Sequence, residues 1–583
     1  MPPTSQPCAA DAVAKLAPPR RLPPIRLFPE MLRVALWQML SGIRIWYRRT
    51  WLYRRILAGP LADRILFHPY DAMPRRLEDA DALLRGRFRF AGQTYDAKTG
   101  SIFDVAPPSL GWAKALHSFS WLPPLALAGG DPAKALATNL ISQWLKRYAR
   151  YAEPAWLPEV LARRLVNIFA HGRLVIANSE LLWRSKVFVS LREQSRMLAR
   201  IAQEAPDGMP RFEAAAAYAL SGACLGDSQR RLEEGLECLE TEIARQILPD
   251  GGHVSRSPEA LVHCYRLITM VMDALSAGAL DVPQKIRSAH DRVAPMIRFF
   301  RHGDGSLALF NGGTECDQRM IAALLARDEV RGLPFAHAPH SGYHRMTAGK
   351  TVALIDCGGV PPGAFSLRAH AGCLAFEFGS GAQRIVVNCG SAGSAHAAWE
   401  GALRATAAHS TLSVADASMA NVIAPGIGRD LLGPRLMGGP TTVETRRVET
   451  PQGWCVEASH DGYLQPFGVR HERQITVSRQ GLAVTGVDRL VPGAARTHAP
   501  LSFTIRFHIH PDVRVSPSQG GGILLKLPNG EGWRFRSGAQ LSVDESVYLG
   551  SDTLRRSEQL VLSGAVKDHP AEAAWIFEQI GST

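Results

Sequence analysis

Nothing in the 583 residues supplies a disulfide scaffold or a zinc ribbon. The nine cysteines are odd in number and form no C-x-x-C pair, so reduced, buried thiols are expected. No apolar run reaches the roughly 20 residues that a membrane-spanning helix needs. The nearest approach, around Met31–Ile45, is interrupted by Arg33, Gln38 and Arg44. A secretory signal is also missing from the start, which opens Met1-Pro2-Pro3 and stays proline-rich through Pro24. There is no G-x-S-x-G elbow and no phosphate-binding glycine loop, since Gly520-Gly521-Gly522 leads into no helix. No fixed-period repeat marks a solenoid. With 46% hydrophobic and 20% charged residues, wholesale disorder, collagen and coiled coil are excluded as well.

What the chain does have is positive charge, +13 at pH 7, which favours polyanionic partners. No nucleic-acid recognition motif accompanies it, so nucleic acid is not an expected partner. In the segment 43–57, Arg44, Arg48, Arg49, Arg54 and Arg55 alternate with Trp46, Tyr47, Trp51 and Tyr53. That pattern reads either as a peripheral contact with an acidic membrane or as a helix packed on a larger domain through its rings. Three regions follow: a proline-rich, disordered leader over 1–29, a helical domain over 30–335 and an all-β domain over 336–583. Prolines near the first turns of Pro158–His171 and Pro258–Ala277 suit helix starts, and paired helices suggest an α/α array. Beyond Ser341, hairpin patterns around Gly349-Lys350 and Gly379-Ser380-Gly381 begin a run of antiparallel strands that suggests a sandwich.

Three stretches carry a resemblance to a known family. They are Pro249-Asp250-Gly251-Gly252-His253-Val254-Ser255-Arg256-Ser257-Pro258, then His370-Ala371-Gly372-Cys373 with the strand ending at Asn388, and Arg404-Ala405-Thr406-Ala407-Ala408-His409-Ser410-Thr411. In this order, astride a helical-to-β switch, they resemble the heparinase II/III family of polysaccharide lyases. The resemblance implies an N-terminal incomplete (α/α) toroid followed by a C-terminal antiparallel β-sandwich, an α+β multidomain fold with a cleft between the parts. It also implies β-elimination on an acidic, uronate-containing polysaccharide and a place in the cell envelope or periplasm. Because no secretory signal is seen, a cytoplasmic location is the alternative.

Elimination at a uronic acid needs a group that neutralises the carboxylate, a base for the C5 proton and an acid for the leaving oxygen. The expected catalytic residues are His253, Arg256, His370, Arg404 and His409, with Arg256 and Arg404 on the carboxylate and His253 or His370 moving the proton. Arg163, Asn167, Arg211 and Tyr265 are expected to bind substrate, and His370, Asn388 and His409 fall where the family places a structural zinc. The chain departs from the family pattern where the chemistry is concentrated. Pro258-Glu259-Ala260-Leu261 holds no tyrosine, and Tyr265 comes one helical turn later. Arg211 and Glu213 stand near the family's helical Asn or His, Arg368 replaces a strand histidine, and Asn388 replaces an aspartate. Each candidate also has an architectural reading: Ser257-Pro258 is a good helix start, and arginines often tie loops down. A lyase is therefore one reading. A glycan-binding protein that has lost the acid and base, assisting envelope polysaccharide assembly or export, is the other.

Overall fold

A computed structural model describes residues 27–59, 62–97, 100–328, 332–493, 500–518, 521–566 and 570–581. Most of the expected leader, residues 1–26, lies outside these. Its last residues, Phe28 and Pro29, already open the helix Phe28–Arg48.

The first half is an incomplete α/α toroid. Its helices include Pro158–His171, Leu181–Ile201, Met209–Leu225, Gln229–Gln246, Pro258–Ala277 and Gln284–Phe300. Met209–Leu225 is the hub, buried from Phe212 to Leu225 because its run of alanines lets neighbours approach on every side. Glycine makes the closest crossing possible. A Cβ on Gly222 would lie 2.5 Å from the Leu232 Cα, and one on Gly235 would lie 2.8 Å from the Ala219 Cα. Pro258–Ala277 is the one helix among the described residues long and apolar enough to cross a membrane, but it is a core helix with 67% of its apolar window buried.

From His337 onward the chain forms two large antiparallel sheets, with a small two-stranded one of Ala420–Val422 and Leu436–Gly438 beside them. One runs in the order Val443–Glu449, Gly453–His460, Val469–Ser478, Ala483–Pro492, Ala571–Ile580, Gly532–Ser537, Ile523–Lys526, Arg514–Pro517. The other runs Gln540–Tyr548, Arg555–Val566, Leu501–Ile509, Gln383–Val387, Phe376–Ser380, Thr351–Asp356, Tyr343–Ala348, His337–Ala338. Strict alternation of burial along Val469–Ser478 turns one face inward, as the period of two requires. The rings of Phe376, Phe378, Phe507, Trp575 and Phe577 meet between the sheets, with centroids 4.9–6.2 Å apart.

An arm precedes the toroid. The helix Phe28–Arg48 breaks at Arg49, and Thr50 caps the short helix Trp51–Ile56 by accepting from the Tyr53 N–H at 3.3 Å. Met31 anchors the arm to Ile423 and Leu432 of the sandwich half, Glu30 pairs with Arg435 at 2.6 Å, and Arg48 pairs with Glu204 of the toroid. The ring-packed reading of this segment fails, because Trp46 and Trp51 are 69% and 68% exposed and only Tyr53 of the four rings is buried.

Candidate active site

The Asp-Gly loop follows Gln229–Gln246, whose final N–H bonds give way to a bridge between Ile247 and His253. Gly251 sits at φ +87°, with its Cβ position 2.1 Å from the Arg292 carbonyl oxygen, so only glycine fits. Asp250 accepts from the Ser341 N–H at 2.7 Å and the Ser341 hydroxyl at 2.8 Å, tying the loop to the sandwich. Ser257 caps Pro258–Ala277, with Pro258 in the first turn, as the architectural reading expects.

Arg256 completes this latch. It stands at φ +61°, a conformation that costs a side-chain-bearing residue about 1–2 kcal/mol. Its guanidinium donates to the carbonyls of Ser341 and Gly359, both at 2.9 Å, and of Gly342 at 3.3 Å, and it pairs with the buried Asp356 carboxylate. It also lies over the Tyr343 ring, 4.7 Å from the centroid. Four of its five N–H groups are taken by protein oxygens, so in place of the expected role on a substrate carboxylate Arg256 forms a clamp between toroid and sandwich.

Arg404 is consumed in the same way. It donates to the carbonyls of Ala369 (2.9 Å), Pro434 (2.7 Å) and Ser366 (3.0 Å), and burial lowers its pKa to about 10. It fastens loops of the sandwich half. His253 is buried between Ser255 Oγ at 2.6 Å and Gln246 Oε1 at 3.0 Å, and burial lowers its pKa to about 4. The Phe365 ring lies edge-on to it, 6.5 Å between centroids.

His370 and His409 do come together, with His370 Nδ1 and His409 Nε2 3.1 Å apart. His409 Nδ1 lies 2.9 Å from the Ala405 carbonyl oxygen, which only accepts, so Nδ1 carries the proton and Nε2 takes the bond from His370. Burial holds both imidazoles neutral, His409 at about 4 and His370 well below the usual range. Among the described residues, His370 Nε2 is the lone pair of this group left without a protein partner.

Asn388 belongs to a different cluster. Its Nδ2 donates to Glu377 at 3.1 Å, and its Oδ1 accepts from the Ser410 N–H at 3.0 Å. Glu377, fully buried, also accepts from the N–H groups of Leu309 (3.1 Å) and Asn388 (3.0 Å) and from His302 at 2.9 Å. Burial opposes its charge, but the His302 bond and Arg384 hold its carboxyl below the usual range. With its amide so committed, Asn388 does not complete a zinc donor set with the two imidazoles. No group of three or more His, Cys, Asp or Glu suited to a metal occurs among the described residues.

The expected substrate binders are likewise paired off. Arg163 forms a two-pronged pair with Glu213 at 3.0 and 2.8 Å, and Asn167 donates to the Ser118 carbonyl at 2.9 Å. Arg211 bonds the Ala205 carbonyl at 2.9 Å and Asp207 at 2.7 Å. Tyr265 is fully buried, stacked on His290 at 4.6 Å, with its hydroxyl facing no partner, and so is placed away from any substrate.

Sequence reasoning missed Asp356, Asn311 and Glu377, which organise the site. Asn311 donates to Asp356 at 3.1 Å and to the Tyr343 hydroxyl at 2.9 Å and accepts from the His370 N–H at 3.4 Å, joining the latch to the histidine pair. The signal for Glu377 was present: a carboxylate inside the apolar run Leu374-Ala375-Phe376-Glu377-Phe378 is costly unless bonded.

With this geometry established, likenesses to known proteins become informative. Residues 330–576 match the family model described as Heparinase II/III-like, C-terminal. Over 557 residues, 93% of this chain and 95% of the relative, the sequence is 32% identical to FtsZ-localized protein C of Caulobacter vibrioides. The chain belongs to the heparinase II/III-like family. In fold it is similar to heparinase III, with a TM-score of 0.68 at 14% identity, covering 95% of this chain and 92% of that one. A heparan sulfate lyase mutant of Pedobacter heparinus gives 0.61 at 15% identity, covering 88% and 86%. The toroid and sandwich of those structures are shared here, and Arg256 is the candidate site residue that ties the two halves together.

Proposed function

We propose that this heparinase II/III-like protein binds acidic polysaccharide without cleaving it and works while seated on an acidic membrane surface. The observation that carries the first part is the state of Arg256 and Arg404. Both cations that elimination would need at the uronate carboxylate are buried with their donors on protein oxygens. Tyr265, the nearest tyrosine to the family's acid position, is sealed in the core. An acidic glycan remains the polymer of choice on the likeness to heparinase III and on the net charge of +13.

Support for the membrane comes from the arm. Leu32, Leu36, Met39, Leu40, Ile43 and Trp46 fall at helical spacing on one face of Phe28–Arg48 and are 50–69% exposed. An exposed apolar stripe flanked by arginines is the pattern of a helix that lies in a membrane interface. The 32% identical relative is named for localisation with FtsZ, and we infer the same address for this chain.

One paired experiment tests this. The full chain is incubated with a panel of acidic polysaccharides, and retention and ultraviolet absorbance of unsaturated uronate are followed in the same samples. Saturable retention without absorbance supports the reading, and protein-dependent absorbance overturns it. For the arm, Leu36→Glu with Ile43→Glu should abolish sedimentation with acidic vesicles, and undiminished sedimentation would remove the membrane from the account.

A further inference from the structure

The helix Leu181–Ile201 carries arginines at 192, 196 and 200, each four residues apart and therefore on one face. Arg192 and Arg196 are half-buried and Arg200 is exposed. Arg192 donates to the Gly59 carbonyl at 3.1 Å and Arg196 to the Ala58 carbonyl, so the row lies against the chain that leaves the arm. Arg200 reaches only the Arg196 carbonyl of its own helix, at 3.0 Å. None of the three has a carboxylate within ion-pair distance among the described residues.

The nearby acids are taken. Glu193 pairs with Arg54 at 3.1 Å, Glu204 pairs with Arg48, and Glu234 is held by Arg230 and by the Tyr218 hydroxyl. The Nε atoms of Arg192 and Arg196 are buried without any partner. Burial and the charges of Arg192 and Arg200 both disfavour the Arg196 cation. A row of like charges held together with no internal counter-ion is relieved by an external anion.

We infer that Arg192, Arg196 and Arg200 form a second membrane contact, on the toroid itself, that takes the phosphate-bearing headgroups of acidic phospholipids. The inference rests on the membrane reading of the arm and adds to it: the arm supplies apolar insertion, and the toroid helix supplies charge. The body of the protein is then held on the surface at two places instead of swinging from a tether. Lipid is favoured over glycan because the row adjoins the exit of the apolar arm, where Trp51, Leu52 and Ile56 are exposed beside Arg54 and Arg55.

The test uses the full chain with vesicles of neutral phosphatidylcholine alone, or with about one-third phosphatidylserine, at low and physiological salt. A basic residue near such a surface is worth about fivefold in affinity, so R192Q/R196Q/R200Q should lose roughly a hundredfold on acidic vesicles and nothing on neutral ones. Its salt dependence should flatten accordingly. Arg200→Gln alone, which removes no contact to another element, should lose about fivefold and keeps the test valid if the triple variant folds poorly. Unchanged binding of both variants, while L36E/I43E abolishes it, would overturn the inference and leave the arm reading standing. Persistent binding of L36E/I43E would instead sink the arm reading. Millimolar inorganic phosphate that displaces the protein from vesicles would show a soluble phosphate site and contradict a headgroup role. Loss of retention on an acidic polysaccharide by R192Q/R196Q/R200Q, with vesicle binding intact, would assign the row to glycan and also overturn it.

Discussion

Arg256→Ala should destabilise the protein by about 3–5 kcal/mol, the usual cost of removing one partner from a buried ion pair. The structure shows what is left behind: the carbonyls of Ser341 and Gly359 lose their donor, that of Gly342 keeps the Cys357 N–H at 2.7 Å, and Asp356 keeps Asn311 Nδ2 and the Gly358 N–H, both at 3.1 Å. Because Arg256 stands at φ +61°, Arg256→Gly should be less damaging than Arg256→Ala by about 1 kcal/mol, since glycine enters that region without strain. The order Ala worse than Gly is the opposite of what a helical or extended position gives. A double-mutant cycle with Asp356→Asn should return a coupling of up to about 3 kcal/mol. Urea unfolding followed by tryptophan fluorescence gives the midpoints, compared at constant slope. The reasoning is refuted if Arg256→Ala unfolds within about 0.5 kcal/mol of the parent yet no longer retains glycan, because that guanidinium would then face a ligand.

Three further outcomes follow from the same geometry. Burial lowers His253 and His409 to about 4 and His508 to about 3, so the unfolded chain takes up protons first as pH falls. Stability should therefore be intact above an ordinary histidine pKa of about 6.5 and drop between there and about 4, by about 1.4 kcal/mol per pH unit per histidine; an equal urea midpoint at pH 7.5 and pH 5 would contradict this. Tyr265→Phe should leave stability the same or up to about 1 kcal/mol higher and glycan retention unchanged, since its hydroxyl has no partner; a loss of retention would place that hydroxyl on a ligand. Gly222→Ala should cost about 1–3 kcal/mol because its Cβ would press on Leu232, whereas Gly401→Ala, with open space around it, should be silent in the same unfolding assay.

The fold was legible wherever local pattern and packing agree. Pro258–Ala277 and Pro158–His171 begin at proline in the first turn and run as expected. The hairpin Tyr343–Ala348 with Thr351–Asp356 closes around Gly349-Lys350 as its turn residues require. Strands such as Gln540–Tyr548 were not foreseen, because a mostly exposed strand has little apolar alternation to reveal it. The site was legible in its residues and not in their use. Arg256 and Arg404 look alike to a ligand carboxylate and to a row of carbonyls, and only the tertiary positions of Ser341, Gly359 and Pro434 decide between them. The arm shows the converse: its alternating rings and arginines are compatible with packing or exposure, and the answer depends on what the rest of the chain places beside them.

The central claim is that a heparinase fold is present here without elimination chemistry. It is tested most directly by incubating the full chain at high concentration with an acidic polysaccharide it retains and following the ultraviolet absorbance of unsaturated uronate ends. The account predicts a flat trace throughout, with the polymer's length unchanged. Absorbance that grows in proportion to protein and disappears with His370→Ala, the variant lacking the imidazole of the histidine pair whose Nε2 has no protein partner among the described residues, would contradict it.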